Sequence, residues 1–262
     1  MNSFIKNIRA TVMLAFLLGS LAACDSQGEG DYMSPPERSD NTGEAGSMAR
    51  FGLSGNQLYV VGNDNLRYFD ISDPRKPVFQ NTINLPDGVE TIFPYGNHLF
   101  LGTMNGVIIM NISNPLAPII SSTYSHVTSC DPVVVQNNYA YVTMRNGTAC
   151  NRGINRLEVL DVGAPWEPSM INSMAMINPH GLGVEGSQLF VCEGASGLKA
   201  FDISTPYKPK MVQLLNGFDA FDLIVDNGLL MVIGKTGLMQ FQYDTSPQAP
   251  NMRLVSRINI GS

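Results

Sequence analysis

Past residue 23 the chain has no apolar run approaching the ~18 residues that a membrane-spanning helix requires. No later window repeats its apolar residues at three- and four-residue intervals, which sets aside a helical bundle. Positive charge is scarce: 16 Lys and Arg stand against 22 Asp and Glu, a formal net charge of −6. A surface so poor in cations cannot meet a phosphate backbone, so nucleic acid is excluded as a partner. There are 3 His and 4 Cys, and no Gly-rich phosphate loop, HExxH, CxxC or G-x-S-x-G. These absences leave no motif for a cofactor, a metal or a catalytic nucleophile, and none is assigned.

The first residues are informative in a different way. MNSFIKNIRATVMLAFLLGSLAAC places Lys6 and Arg9 before an apolar run from Thr11 to Ala23, too short to span a bilayer and ending in small residues. That order describes a secretory signal peptide over 1–23. Leu21-Ala22-Ala23-Cys24 resembles a bacterial lipobox, in which Cys24 is lipidated and becomes the mature N-terminus. Loss of Lys6 and Arg9 leaves a mature charge of −8. The expectation is an exported protein held on a membrane by its N-terminal lipid in the cell envelope. The outer membrane, on its periplasmic or surface face, is the favoured site; Asp25, directly after the Cys, leaves the inner membrane open. Residues 25–47, DSQGEGDYMSPPERSDNTGEAGS, bring almost no aliphatic surface to set against chain entropy. With Cys24 they form a disordered tether, 24–47, of reach ~25–30 Å.

From residue 48 the chain repeats. Pro-x-x-Pro occurs as DPRKP, NPLAP, APWEP, TPYKP and SPQAP, its first prolines at 74, 115, 165, 206 and 247, spaced by 41, 50, 41 and 41 residues. In step with it run GNQLYVV, GNHLFLG, NNYAYVT, GSQLFVC and NGLLMVI, and then LRYFDI, VIIMNI, LEVLDV, LKAFDI and LMQFQY. Each unit reads as four short strands bounded by Gly, Asn, Asp or Pro. Four antiparallel strands at this period describe a propeller blade, since a lone sheet leaves apolar faces bare and neighbouring blades cover them. The fold class is therefore all-β, a five-bladed propeller over 48–262; a β-solenoid or paired sandwiches are the alternatives. MARFGLS at 48–54 supplies a first strand and MRLVSRINI at 252–260 a last one, so the ring is expected to close between the first and fifth units.

LYVV…LRYFDISDPRKP resembles the LVIVD repeat of bacterial exported lipoproteins, and SCDPVVVQNNYAYVTMRNGTAC and NPHGLGVEGSQLFVCEGASGLKAFDI resemble its long-chain members in Bacteroidota. The resemblance covers about residues 46–262 and implies an envelope propeller without implying an activity. The fifth unit departs from the motif, with Gln242-Tyr243 in place of Asp-Ile.

Strand order assigns faces. Loops from fourth to first and from second to third strands lie on one face, the upper; the double-proline loops lie on the lower. Asp70, Asp161 and Asp202 then serve corners, not chemistry. The third unit carries its insertion, MRNGTACNRGINR, on the upper face. Cys150 within it and Cys130 at the start of the same blade are expected to form a disulfide, which an exported compartment permits. Cys192, inside LFVC, is expected to be a buried thiol. Glu90, Asp131, His180 and Asp222 fall near the starts of axial strands, around the upper channel mouth, as candidate ligand-binding residues; turn capping is the competing role for Asp131 and Asp222. Trp166 is expected to pack between blades on the lower face.

Two functions compete. One is a non-catalytic envelope module, a monomeric propeller whose upper face binds a protein or a glycan. The other is a glycan-directed hydrolase or lyase working with the carboxylates and His180 at the mouth; a purely structural role is a third.

Overall fold

The computed structural model describes residues 47–125, 132–146 and 155–260. The signal peptide, Cys24, the tether as far as residue 46, Asp131 and the Cys130–Cys150 pair lie outside the described residues; Ser47, the last residue assigned to the tether, is buried. Within them, regular structure is entirely β: five four-stranded antiparallel sheets, each made from consecutive strands. Blade 1 holds β1 (Phe51–Ser54), β2 (Gln57–Val61), β3 (Asn65–Asp70) and β4 (Val78–Asn84). Blade 2 holds β5 (Val89–Tyr95), β6 (His98–Thr103), β7 (Gly106–Asn111) and β8 (Ile119–Ser125). Blade 3 holds β9 (Val133–Gln136), β10 (Tyr139–Met144), β11 (Arg156–Asp161) and β12 (Ser169–Ala175). Blade 4 holds β13 (Leu182–Glu185), β14 (Gln188–Cys192), β15 (Leu198–Asp202) and β16 (Lys210–Leu215). Blade 5 holds β17 (Asp222–Asp226), β18 (Leu229–Gly234), β19 (Gly237–Gln242) and β20 (Arg253–Asn259). The third-unit insertion falls between β10 and β11, as its sequence placed it.

Local chemistry explains the turns. Asn137-Asn138 and Asn227-Gly228 have positive φ at both residues, the backbone that a two-residue hairpin requires. At the lower corners the last residue of the third strand accepts from the backbone N–H two residues on: Asp70 from Ser72 at 2.8 Å, Asn111 from Ser113 at 2.7 Å, Asp161 from Gly163 at 2.9 Å and Asp202 from Ser204 at 2.8 Å. A β-turn with proline at its second position follows in all five units, closed by Lys76, Ala117, Glu167, Lys208 and Ala249 donating to Asp73, Asn114, Ala164, Thr205 and Ser246. These corners also tie blades together. Tyr68 Oη donates to Leu116 O at 2.8 Å, Ser122 Oγ to Pro165 O at 2.5 Å, and Gln188 Nε2 to Asp244 O and Ser246 O, each reaching the next blade's corner. Trp166 corrects the expectation made for it. At the third position of its turn it points away from the blades and is 71% exposed.

Apolar side chains interleave between blades. Tyr59, Leu66 and Tyr68 meet Ile92, Leu99 and Met110 between blades 1 and 2. A continuous cluster including Phe100, Val135, Val159 and Leu189 joins blades 2, 3 and 4. Phe190, Cys192 and Ala200 meet Leu223, Leu230 and Phe241 between blades 4 and 5. Cys192 is fully buried and free, as expected, and burial pushes its thiol pKa up.

The fifth boundary differs, and the expected closure is corrected. β1 packs on β5, β5 on β9, β9 on β13 and β13 on β17, whereas β17 and β1 lack the same approach. Phe51 is 54% exposed, while the residues at its place in the other blades, Ile92, Val133, Leu182 and Leu223, are buried. Ile224 and Ile233 on the facing side of blade 5 are 50% and 46% exposed. Blades 1 and 5 therefore flank an open seam. It is bridged at the top, where Ser47 Oγ accepts from Leu182 N–H at 2.8 Å and donates to Asp222 Oδ1 at 3.1 Å.

Candidate functional site: the upper mouth

The upper ends of the inner strands gather charge. Arg50 precedes β1, and its guanidinium donates to Val61 O and Val89 O, at 3.5 and 3.3 Å, so blades 1 and 2 hold it in place. Glu90, second residue of β5, is half-buried. Burial raises its carboxyl pKa, and the nearby Arg50 and Arg145 guanidinium groups work against that rise. Arg145 follows β10 at the start of the third-unit insertion. Burial lowers its pKa and Glu90 opposes the change.

His180 lies two residues before β13 and is buried. Its backbone is clamped from two sides: its N–H donates to Cys192 O at 2.8 Å, and its C=O accepts from Thr143 Oγ1 of blade 3 at 2.6 Å. The imidazole lies against Phe221, ring centres 5.2 Å apart. Burial lowers its pKa to about 4, helped by Arg145 and opposed by Glu193, so the ring is neutral at pH 7. The loop joining β14 to β15 runs beneath it. Gly194 there has φ +55, a backbone conformation closed to most side chains, and a Cβ would stand 3.0 Å from His180 Nε2 and 2.5 Å from Asn178 Nδ2. The same glycine exchanges two hydrogen bonds with Ala220, joining blade 4 to blade 5.

Two further carboxylates are committed to the framework. Glu193 is fully buried, paired with Lys199 Nζ at 2.5 Å, and accepts from the backbone N–H groups of Asn178 at 2.6 Å and Ile177 at 3.1 Å. Asp222 accepts from Ser47, and also from the backbone of Leu223 and Met48; burial outweighs these bonds and raises its pKa to about 6. Of the four sequence-chosen residues, Glu90 and His180 are drawn into one field through Arg145, Asp222 is bonded to Ser47 and to the Met48 backbone rather than to a turn of its own, and Asp131 lies outside the described residues. Sequence reasoning missed Arg50, Arg145, Glu193 and Lys199. Glu193 opens the EGASG turn on the upper face and Lys199 lies two residues past it, a spacing that turn alignment could have singled out. Among the described residues no three of His, Cys, Asp and Glu converge as metal ligands would.

Comparison with known proteins adds the following. The LVIVD repeat family matches residues 45–84, 89–126 and 129–175. A search of curated proteins finds no significant match. Many solved structures share the fold. A protein from Lactobacillus plantarum is 14% identical over 78% of this chain and 68% of its own, with a TM-score of 0.61. A periplasmic gluconolactonase of Pseudomonas aeruginosa is 12% identical over 79% and 68%, also with a TM-score of 0.61. A protein of unknown function from Desulfotomaculum acetoxidans is 10% identical over 79% and 67%, with a TM-score of 0.62. At such identities the likeness is one of fold.

Proposed function

Taking the chain as an LVIVD-repeat propeller of five blades, we propose that it is a non-catalytic binding module of the bacterial cell envelope, held by a lipid on Cys24, whose upper mouth engages an envelope protein or glycan. The export and lipid anchor rest on the basic, apolar and Leu-Ala-Ala-Cys order of its first 24 residues. The outer membrane is the favoured location, with the inner membrane as the alternative.

The observation that carries the reading is how the charges at the mouth are used. Glu193 is bound to Lys199 and to two backbone amides, and Asp222 is bound by Ser47. Neither is placed to exchange protons with a substrate. Arg50, Glu90 and Arg145 form a fixed array of mixed sign that suits polar recognition, where directed donors and acceptors set specificity. The alternative, a glycan hydrolase or lyase, draws on the raised pKa of Glu90 and on neutral His180, the features a general acid and base would need. The gluconolactonase among the similar structures supports it by fold analogy alone.

Crosslinking in intact cells followed by recovery of the full chain tests the proposal. Arg145→Ala and Glu90→Gln should each cut recovery of the crosslinked envelope component at least tenfold. Undiminished recovery from both variants would remove the upper mouth as the binding site. Sugar release from envelope glycan by the wild type that Glu90→Gln abolishes would establish the enzyme instead.

A further inference from the structure

The lower face carries a row of apolar side chains that the fold does not use. The third position of the proline turn holds Leu116 in blade 2, Trp166 in blade 3 and Tyr207 in blade 4, each more than half exposed. Blades 1 and 5 place Arg75 and Gln248 there and close the same turn. The corner therefore asks for nothing apolar at this position. Behind each tip the outermost strand begins with further exposed apolar residues: Ile119 and Ile120 on β8, Met170 and Ile171 on β12, and Met211 on β16. Grouped exposure of this kind on three neighbouring blades marks a surface that meets something other than water.

The turns under these tips are held rigid. Leu116 O accepts from Tyr68 Oη and Pro165 O from Ser122 Oγ, while Pro206 O accepts from Tyr141 Oη at 3.3 Å and Tyr207 O from Asn172 Nδ2 at 2.7 Å. Every one of these donors belongs to the preceding blade, and proline fixes φ besides. Three bulky tips thus stand on three separate turns. A protein partner would have to supply a matching pocket for each, whereas the surface of a lipid bilayer accepts all three without one. Trp and Tyr, an apolar ring with one polar atom, are the side chains favoured at the depth of lipid headgroups. Lys208 and Lys210, beside Tyr207, have apolar stems that leave their ammonium groups among the headgroups. Glu167, beside Trp166, offsets one of these charges, so the match is to the apolar boundary of a bilayer and needs no anionic lipid.

Chain length sets the reach. Cys24, with its proposed lipid, lies 23 residues before Ser47, which is bonded at the upper face. A seven-residue outer strand such as β8 stands ~23 Å tall. A coil of 23 residues reaches ~25–30 Å, enough to run the height of a blade and leave the lower face on the bilayer. Tethered so near, a weak contact works at an effective concentration of about millimolar.

We infer that the lower rim of blades 2–4 is a membrane-docking surface: Leu116, Trp166 and Tyr207 enter the boundary between headgroups and acyl chains, and the upper mouth faces away from the bilayer. This rests on the proposed lipid at Cys24 only for bringing the chain to a membrane.

Trp166 is the sole Trp of the chain and reports the contact directly. The full chain is reconstituted with excess phosphatidylcholine vesicles, either plain or brominated on the acyl chains. Bromine quenches only on close approach. Docking should lower Trp166 emission at least about twofold in the brominated vesicles and move it to shorter wavelength in the plain ones. Leu116→Glu combined with Tyr207→Glu leaves Trp166 in place and should abolish both effects. Ile177→Glu, at an exposed site on the upper face, should leave both unchanged. Circular dichroism melts check the fold, and Ile119→Glu with Met211→Glu replaces a pair that fails to fold. An unquenched Trp166 in the wild type overturns the inference, whether the tether alone holds the chain or a protein covers the rim in the cell. Quenching that survives the double variant, or that Ile177→Glu removes, overturns it too. Mass spectrometry of Cys24 tests the anchor separately: a chain that bears no acyl group yet is quenched refutes the anchor and keeps the docking.

Discussion

Replacing Asp222 by Asn should remove a pH-dependent instability from the propeller. The carboxylate sits where burial raises its pKa to about 6, against ~3.9 for an aspartate in an unfolded chain. Between those values the folded chain binds a proton that the unfolded chain does not. Stability from this group is therefore greatest below pH ~4 and falls as pH rises to ~6. A shift of ~2 units corresponds to at most ~3 kcal/mol, and partial solvent access reduces this to about 2 kcal/mol. Asn keeps an oxygen to accept from Ser47 and from the Leu223 and Met48 backbone but carries no charge. At pH 7.5 the variant should be more stable than the wild type by about 2 kcal/mol, and at pH 4 the two should coincide. His180 slopes the other way: its folded pKa of about 4 favours the neutral ring, and the stability this gives is present above ~6.5 and lost as pH falls through about 4. The wild type should therefore be nearly flat from pH 4 to 6.5, and Asp222→Asn should expose the His180 slope. Urea denaturation followed by far-UV circular dichroism across this range measures both, since Trp166 is too exposed to report on folding. Parallel pH curves for variant and wild type, or a less stable variant at pH 7.5, would refute the reasoning.

Other outcomes follow from the same structure. Leu182→Ala should cost ~2–5 kcal/mol while Phe51→Ala, at the equivalent place, costs under about 1 kcal/mol; equal costs in urea would mean the seam is closed. Lys199→Met leaves Glu193 buried without its cation and should destabilise by ~3–5 kcal/mol, and adding Glu193→Gln should recover part of the loss in a double-mutant cycle. Ser47→Ala strands the Leu182 amide and should cost ~1–3 kcal/mol in the same assay. Thiol titration of the denatured, exported protein should find one free thiol, Cys192, rising to three on reduction if Cys130 and Cys150 are bridged; three without reduction would exclude the bridge.

The repeat was legible because each unit restates the same local rules. The Asp or Asn before the corner, proline at the second turn position and Asn-Asn or Asn-Gly hairpins act over two to four residues, and a strand alternates by itself. The site was only partly legible. Glu90 and His180 emerged from aligning the units, but the Arg50 and Arg145 charges that act on them belong to blades 1 and 3. No spacing along the chain reports that convergence. Trp166 misled for the opposite reason: a lone Trp between prolines reads as packing, yet the turn position aims it outward.

By itself the sequence determined the blade count, the strand order, the lower-face role of Asp70, Asp161 and Asp202, and the burial of Cys192. All of these follow from periodic local patterning repeated five times. Only the tertiary structure decided which carboxylates at the upper mouth are committed to the framework, and that blades 5 and 1 do not pack as the other neighbouring blades do. Repeat units specify their neighbours and each boundary between them, but whether an arc closes depends on the small rotation accumulated over every blade, a quantity that no single unit encodes.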